Sequence, residues 1–556
     1  MKPIVHNLRH KLAPWAFTLV LAATASASLS VNVISPTVNY QGTAAGGTPV
    51  FYEAYATNSA CAAGIGAMRI YTAPGVNAFT VNGDHLETFI ALPLGSYNTV
   101  VQAWDNCGNV AKAAVPLSVT TGNITVYLPT SSVGYSPVHI AASAQTGCNG
   151  GINAIRLYTA PYVDPYTINS NQLDTYVTVP PGNYNMTLVA WDACGGVFTS
   201  QLALATSGSA DGYLYGTYGQ NGAGGTVAQL QVDGEGNVIN PNGDADPPQF
   251  PAPDANSVVV DPGGWFLYAG AKNSIYAFQI DPEKGSLSAM PGSFSASGLS
   301  QVLMDPSGNF VYGISTTTSS ITTYRVNRSN GALTIRGSTG TLSGDYLTFA
   351  VDGPFLYYLA INVGSATQLG GYALNVNNGT LTAISGLPIS LPVKDQFNSI
   401  LAANDRVFAA SGFGGSSAIF GYSLDPTSGA LTRLPGSPLR IQDNTLSSVW
   451  ADWEGRYLWA WYTADTSNNT EMNTLDIGPK GRLAATDYYL YNAPVAYFTE
   501  DLTGNYAFAL WQQNFGTQEY GVQTYYISTG GALYPASLTV LPNAFNVEAV
   551  ARQNPD

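Results

Sequence analysis

Asp425-Pro-Thr-Ser-Gly-Ala-Leu-Thr432 reads as a tight turn between two strands. Proline presets φ, the aspartate can accept from nearby backbone amides, glycine takes the left-handed position, and leucine returns the chain to a buried face. Its core, Gly-x-Leu or Gly-x-Val, recurs seven times, beginning at Gly236, Gly285, Gly331, Gly379, Gly429, Gly481 and Gly531. The intervals of 49, 46, 48, 50, 52 and 50 residues are each the length of a four-stranded blade. The repeat therefore predicts a seven-bladed β-propeller.

A second signature lies upstream in each unit: an apolar strand, a turn and an aromatic-rich strand, as in Ser257-Val-Val-Val-Asp-Pro-Gly-Gly-Trp-Phe-Leu-Tyr268. We read it as the inner hairpin of a blade, with equivalents at 302–312, 349–357, 400–408, 449–458 and 496–508. A third strand follows, such as Ser274-Ile-Tyr-Ala-Phe-Gln-Ile280, whose alternation fits a half-buried sheet. The first unit, from Tyr213 to about Asn240, has no inner strand ahead of it. Phe545-Asn-Val-Glu-Ala-Val550 is a spare strand at the other end. Pairing the two would close the ring at 545–551 and leave no open edge.

The first 27 residues have the form of a secretory signal: Lys2, Arg9 and Lys11, then an apolar stretch from Leu12 to Ala23, then Ala25-Ser26-Ala27. The expectation is bacterial-type export, periplasmic or extracellular. Its removal would shift the formal charge from −15 to −18, because it carries three basic and no acidic residues. Nucleic acid and anionic lipid reward clustered Lys and Arg, which this chain lacks. No later run of 18 or more apolar residues could insert in a membrane as a helix. With 529 residues after that signal, several cores are required.

Residues 31–205 contain two copies of one unit displaced by 87 positions. Arg69-Ile-Tyr-Thr-Ala-Pro74 returns as Arg156-Leu-Tyr-Thr-Ala-Pro161, and Ala103-Trp-Asp-Asn-Cys-Gly108 as Ala190-Trp-Asp-Ala-Cys-Gly195. Short alternating strands between Gly, Pro and Asn turns indicate small β-sandwiches. The two units resemble bacterial immunoglobulin-like domains, which implies the division 28–120, 121–207 and 208–556. All four cysteines fall here, at Cys61, Cys107, Cys148 and Cys194, with 46 residues between the members of each unit. Of three possible connectivities, the repeat favours Cys61–Cys107 and Cys148–Cys194, tying loops at one end of each sandwich. Zinc fails on donors, since His85 and His139 are the only histidines beyond the signal and neither sits near a Cys-x-x-Cys. Alternation is read as placing Trp104 and Trp191 inward.

The fold class is thus all-β: two immunoglobulin-like sandwiches, then a propeller. Over 211–551 the Asp-Pro-x-Gly-x-Phe-Leu-Tyr hairpins and the Asp425–Thr432 type of outer turn resemble the lactonase-type propeller family, which includes phosphogluconolactonases and carboxymuconate cyclases. Active members carry His and Arg just before certain inner strands. The matching positions here are Asp254-Ala-Asn256, Gly298-Leu-Ser300 and Gly344-Asp-Tyr346, so no catalytic residue carries over.

Other constellations read as structure. The oxygen-rich run from Asp233 to Asp246 lacks the spacing of a calcium loop and reads as a polar turn. The acids Asp452, Glu454, Glu500 and Asp501 are expected to face solvent, and Trp450, Trp453, Trp459 and Trp461 to fill a layer between blades. No metal or cofactor is expected. Ligands should meet the face opposite the regular turns, whose irregular connections carry Lys272, Lys394, Asp395, Gln396, Arg440, Asp443, Gln512 and Glu519. The expected function is a monomeric exported binding or adhesion protein for a glycan or protein ligand. The alternative is an extracellular lactonase-type hydrolase with a divergent site.

Overall fold

The computed structural model describes residues 29–552, apart from 37–39, 43–47, 147–150, 161–165, 208–210, 220–224, 362–365, 393–396, 413–415, 465–469, 478–482, 492–494, 514–518 and isolated positions or pairs such as 194–195 and 443. The signal-like segment, Lys394, Asp395, Gln396, Asp443 and the Cys148–Cys194 pair lie outside the described residues.

From Gly212 onward the described strands form seven antiparallel sheets arranged as blades. Blade two shows the plan: Ala255–Val260, Phe266–Ala271, Ser274–Ile280 and Leu287–Ala289 pair in chain order from the inside outward. Its second strand is buried at every residue, as is Phe310–Ser315 in blade three, because neighbouring blades cover both faces. Blade one is assembled from both ends of this region. Ala544–Arg552 pairs antiparallel with Gly212–Gly219 and supplies the inner strand.

The repeated glycine has two jobs. Its φ lies between 64° and 79° at Gly236, Gly285, Gly331, Gly379, Gly429 and Gly531, where a side chain is strained. At each of these six, a Cβ would also strike a ring at the start of the preceding blade's second strand: Tyr506, Tyr213, Phe266, Phe310, Phe355 and Tyr457 respectively. Two residues further along that strand, a polar aromatic grips the same glycine. Tyr215 Oη donates to the Gly285 carbonyl at 2.5 Å, Tyr268 to Gly331 at 2.8 Å, Tyr357 to Gly429 at 2.7 Å, and Trp459 Nε1 to Gly531 at 2.7 Å. The aromatic-x-aromatic strand and the Gly-x-Leu turn are the two halves of one joint between blades. The Tyr506–Gly236 contact carries that joint across the ring closure.

The acids at the inner turns depart from expectation. Asp452, Glu500 and Asp501 are buried rather than solvent-facing. The aspartates cap the turn: Asp452 Oδ1 accepts from the amides of Arg456 and Tyr457 at 2.6 and 2.8 Å, and Asp501 Oδ1 from Asn505 and Tyr506 at 3.0 and 2.8 Å. Asp261 and Asp305 cap blades two and three in the same way. The tryptophan reading holds for Trp450, Trp459 and Trp461, while Trp453 and the acid Glu454 lie outside the described residues. Trp459 and Trp461 are fully buried, and Trp450 meets Trp461 edge to face and Phe498 at a tilt between blades six and seven. Asp233 likewise caps its own turn, and Asp246 accepts from Tyr218 and Asn543.

Ahead of the propeller stand two units, each a small three-stranded sheet facing a larger one. They are not separate. The short strand Tyr40–Gly42 pairs in parallel with both Val110–Thr121 and Val197–Ser207, fusing the large sheets into one of ten strands. Cys61 and Cys107 are bonded across the loops at one end of the first unit, with Cα atoms 6.0 Å apart. Asp105 caps the neighbouring turn through the Cys107 and Asn109 amides. The tryptophans are corrected here. Ala103 and Asp105 are buried, so alternation turns Trp104 to the outer face, where the Arg69 guanidinium lies 5.1 Å from its ring; Trp191 is likewise only half-buried, with Arg156 5.8 Å away.

Candidate binding site at the channel mouth

Each inner strand runs toward the capped turn, so its start lies at the opposite, irregular end of the ring. There the ladder slips by one residue in six of the seven described blades. The extra residues are Asn256, Ser300, Asn398, Ser447 and Tyr497, with Glu548 in blade one. A bulge re-aims a side chain and is a common device at rims and binding sites. The register of blade four is unbroken.

Two of these residues, Asn256 and Asn398, link neighbouring blades, whereas Ser300 Oγ donates within its own blade to the Ile314 carbonyl at 3.2 Å. Asn256 Nδ2 donates to the Leu299 carbonyl of blade three at 3.0 Å, and Asn398 Nδ2 to those of Leu446 and Ser447 of blade six at 2.7 and 3.2 Å. Asn398 Oδ1, Ser399 Oγ and Thr348 Oγ1 are buried with no hydrogen-bond partner among the described residues. Tyr497 is 45% exposed and sits at φ 53°. A bulky residue held in that region is strained, a condition that clusters at binding sites.

Three of the loop residues expected on this face can be placed. Lys272 is exposed in the turn after Phe266–Ala271, Arg440 is exposed on Leu439–Gln442, and Glu519 is exposed at the head of Glu519–Ile527. They stand on blades two, five and seven. Gln512 belongs to the strand Tyr506–Gln513, where only the backbone is described. The bulged residues were partly legible, since Asn256 and Ser300 hold the positions where active relatives carry His or Arg. Tyr497 was not, because a one-residue slip leaves no mark in composition.

The opposite face is occupied. The second unit lies against the turns of blades three and five: Thr175 Oγ1 donates to the Pro306 carbonyl at 3.3 Å, Arg328 Nη2 to Tyr176 Oη at 2.9 Å, Asn169 Nδ2 to the Thr427 carbonyl at 2.6 Å, and Arg156 Nη2 lies 2.7 Å from Asp405 Oδ2. Burial raises the pKa of Asp305 to about 6, outweighing the hydrogen bonds it accepts from Ser307 and Phe310 and the more remote Arg328. Asp261 is raised for the same reason, with Arg328 3.4 Å away as partial compensation.

Residues 217–339 match the family described as lactonase, 7-bladed beta-propeller. Among solved structures, a Lactobacillus plantarum protein aligns at 16% identity and a TM-score of 0.48, covering 61% of this chain and 99% of its own. The Pseudomonas aeruginosa periplasmic gluconolactonase PpgL aligns at 12% identity and 0.47, covering 62% and 99%. No curated protein matches the chain. The C-terminal region is a lactonase-like seven-bladed propeller.

Proposed function

We propose that the chain is an exported binding protein whose propeller holds a neutral polyhydroxylated ligand, a glycan, at the irregular mouth without turning it over. The observation that carries this reading is the set of bulged residues on blades two, three, five, six and seven: amides, hydroxyls and an exposed, conformationally strained tyrosine. Sugars are recognised by that combination of hydrogen-bonding groups around an aromatic face. The propeller contains no histidine at all, which removes the commonest general base from the site. Covering the capped face with the second unit directs ligands to the mouth.

A second reading, lactone hydrolysis with a rearranged site, draws on the family match over 217–339. The two differ in turnover. The binding reading is tested with a glycan array on the mature protein, then titration of the best ligand into wild type and Tyr497→Asn. Asparagine tolerates positive φ, so the fold is kept while the ring is lost. Affinity should fall at least tenfold, about 1.4 kcal/mol. Unchanged affinity in the folded variant would remove the mouth as the site.

A further inference from the structure

The two sandwich units carry the same arginine cradle, and only one of them is filled. In the second unit Arg156 Nε donates to Thr167 Oγ1 at 3.0 Å and Nη1 to Tyr158 Oη at 3.0 Å, with the guanidinium 5.8 Å from the Trp191 ring. Nη2 takes Asp405 of the propeller at 2.7 Å. In the first unit, 87 residues earlier, Arg69 Nε donates to Thr80 Oγ1 at 2.9 Å and Nη1 to Tyr71 Oη at 3.3 Å, with the guanidinium 5.1 Å from Trp104. Two of its nitrogens are pinned identically, and among the described residues Arg69 has no acidic partner.

The surface around the cradle repeats the contrast. Tyr158, Val189 and Val197 of the second unit are buried against the first unit's small sheet, where the Tyr158 ring lies 5.3 Å from Phe51 and 5.4 Å from Phe89. Their counterparts Tyr71 and Gln102 are only half-buried. Val110 is 49% exposed where Val197 is 2% exposed. The first unit therefore displays a copy of a face that this chain itself uses as an interface.

We propose that the outer face of the first unit's large sheet docks another protein, which seats an aspartate or glutamate on Arg69 and lays an aromatic sheet surface over Tyr71, Trp104 and Val110. The chemistry of the partner follows from the occupant of the equivalent site: an acid on a β-turn beside phenylalanines. A second copy of this chain cannot supply it, because its Phe51 and Phe89 are already covered by Tyr158 and its Asp405 is held by Arg156. Arg69 presents a fixed, pre-oriented fork rather than a free charge, so the site selects a carboxylate by geometry as well as by sign.

The probe is a cyclised hairpin peptide with the sequence of residues 399–411, which carries the Asp405 turn. It is titrated to millimolar concentration into the mature full-length protein, with the Trp104 indole N–H resonance as readout. The Arg156 cradle is filled internally, so Arg69 is the free one. Saturable shifts of Trp104 are expected, weakened at least tenfold by Arg69→Ala, by Arg69→Lys, and by Asp405→Asn in the peptide, with the melting temperature of the protein unchanged. Absence of any Trp104 shift, or equal binding to the Arg69→Ala protein, would overturn the proposal. Tighter binding of oligogalacturonate than of the peptide would reassign the cradle to an acidic glycan. A dimer in sedimentation that Arg69→Ala dissolves would reassign the face to self-association.

Discussion

Gly285 is held by two independent constraints, a φ of 64° and the Tyr213 ring against its α-carbon. Gly243 has nearly the same φ, 65°, with open space where a Cβ would stand. Gly243→Ala should therefore cost about 1–2 kcal/mol, the strain of the left-handed region alone. Gly285→Ala should cost a further 1–3 kcal/mol or so for overpacking. Denaturant melts of the two variants check this, and equal losses would show that the ring contact is unimportant. Asp305 makes a second residue-scale prediction. Its pKa is about 6 in the fold against an ordinary 3.8, so the folded chain holds this proton more tightly than the unfolded one. Stabilisation from protonation is complete below the ordinary value and lost as pH rises through 6. Asp261, Asp452 and Asp501 are shifted upward too, each by burial. The melting temperature should rise between pH 7.5 and pH 5, by a contribution of about 1.4 kcal/mol from Asp305, and Asp305→Asn should flatten that slope. A melting temperature that falls over this range would contradict the assignment.

At the scale of elements, the joint between blades explains why the propeller was readable from sequence. Gly-x-Leu turns and aromatic-x-aromatic strands recur because each pair must meet across a blade boundary, so both are visible as repeats. Ring closure has the same basis. Ala544–Arg552 fills the inner position of blade one, and Phe545 is fully buried with Leu214, Phe508 and Val522. Deleting residues 544–556 should expose the edge of Gly212–Gly219 and lower the melting temperature by roughly 10 °C or more, or cause aggregation. A truncated protein that melts like the full chain would mean that closure does not rest on this strand. Other features were hidden for definite reasons. Alternation along Gly95–Asp105 defines two faces but not which is inward, and the buried cap Asp105 fixed the phase opposite to the one read for Trp104. Asp452 and Asp501 looked like surface acids because a carboxylate that satisfies turn amides has the same sequence as one that faces water. The bulges at Asn398 and Tyr497 are slips of pairing, which only the partner strand reveals.

At the scale of the molecule, the units form one assembly with a covered face and an open one. The second unit lies against the turn end of the propeller, and Arg328 and Arg156 tie it to blades three and five through Tyr176 and Asp405. None of these contacts was legible, because no repeat or missing strand in the sequence links the two members of each pair. The open end carries the bulged Asn256, Ser300, Asn398, Ser447 and Tyr497, and the proposed function is that this end holds a ligand without cleaving it. The rate of ring opening of gluconolactone at pH 7, with the spontaneous rate subtracted, tests that claim most directly. A binding site without turnover predicts no protein-dependent rate at any concentration of the protein. A rate that scales with protein and disappears when Asn256 and Asn398 are both changed to Ala would contradict it and make the mouth a catalytic centre.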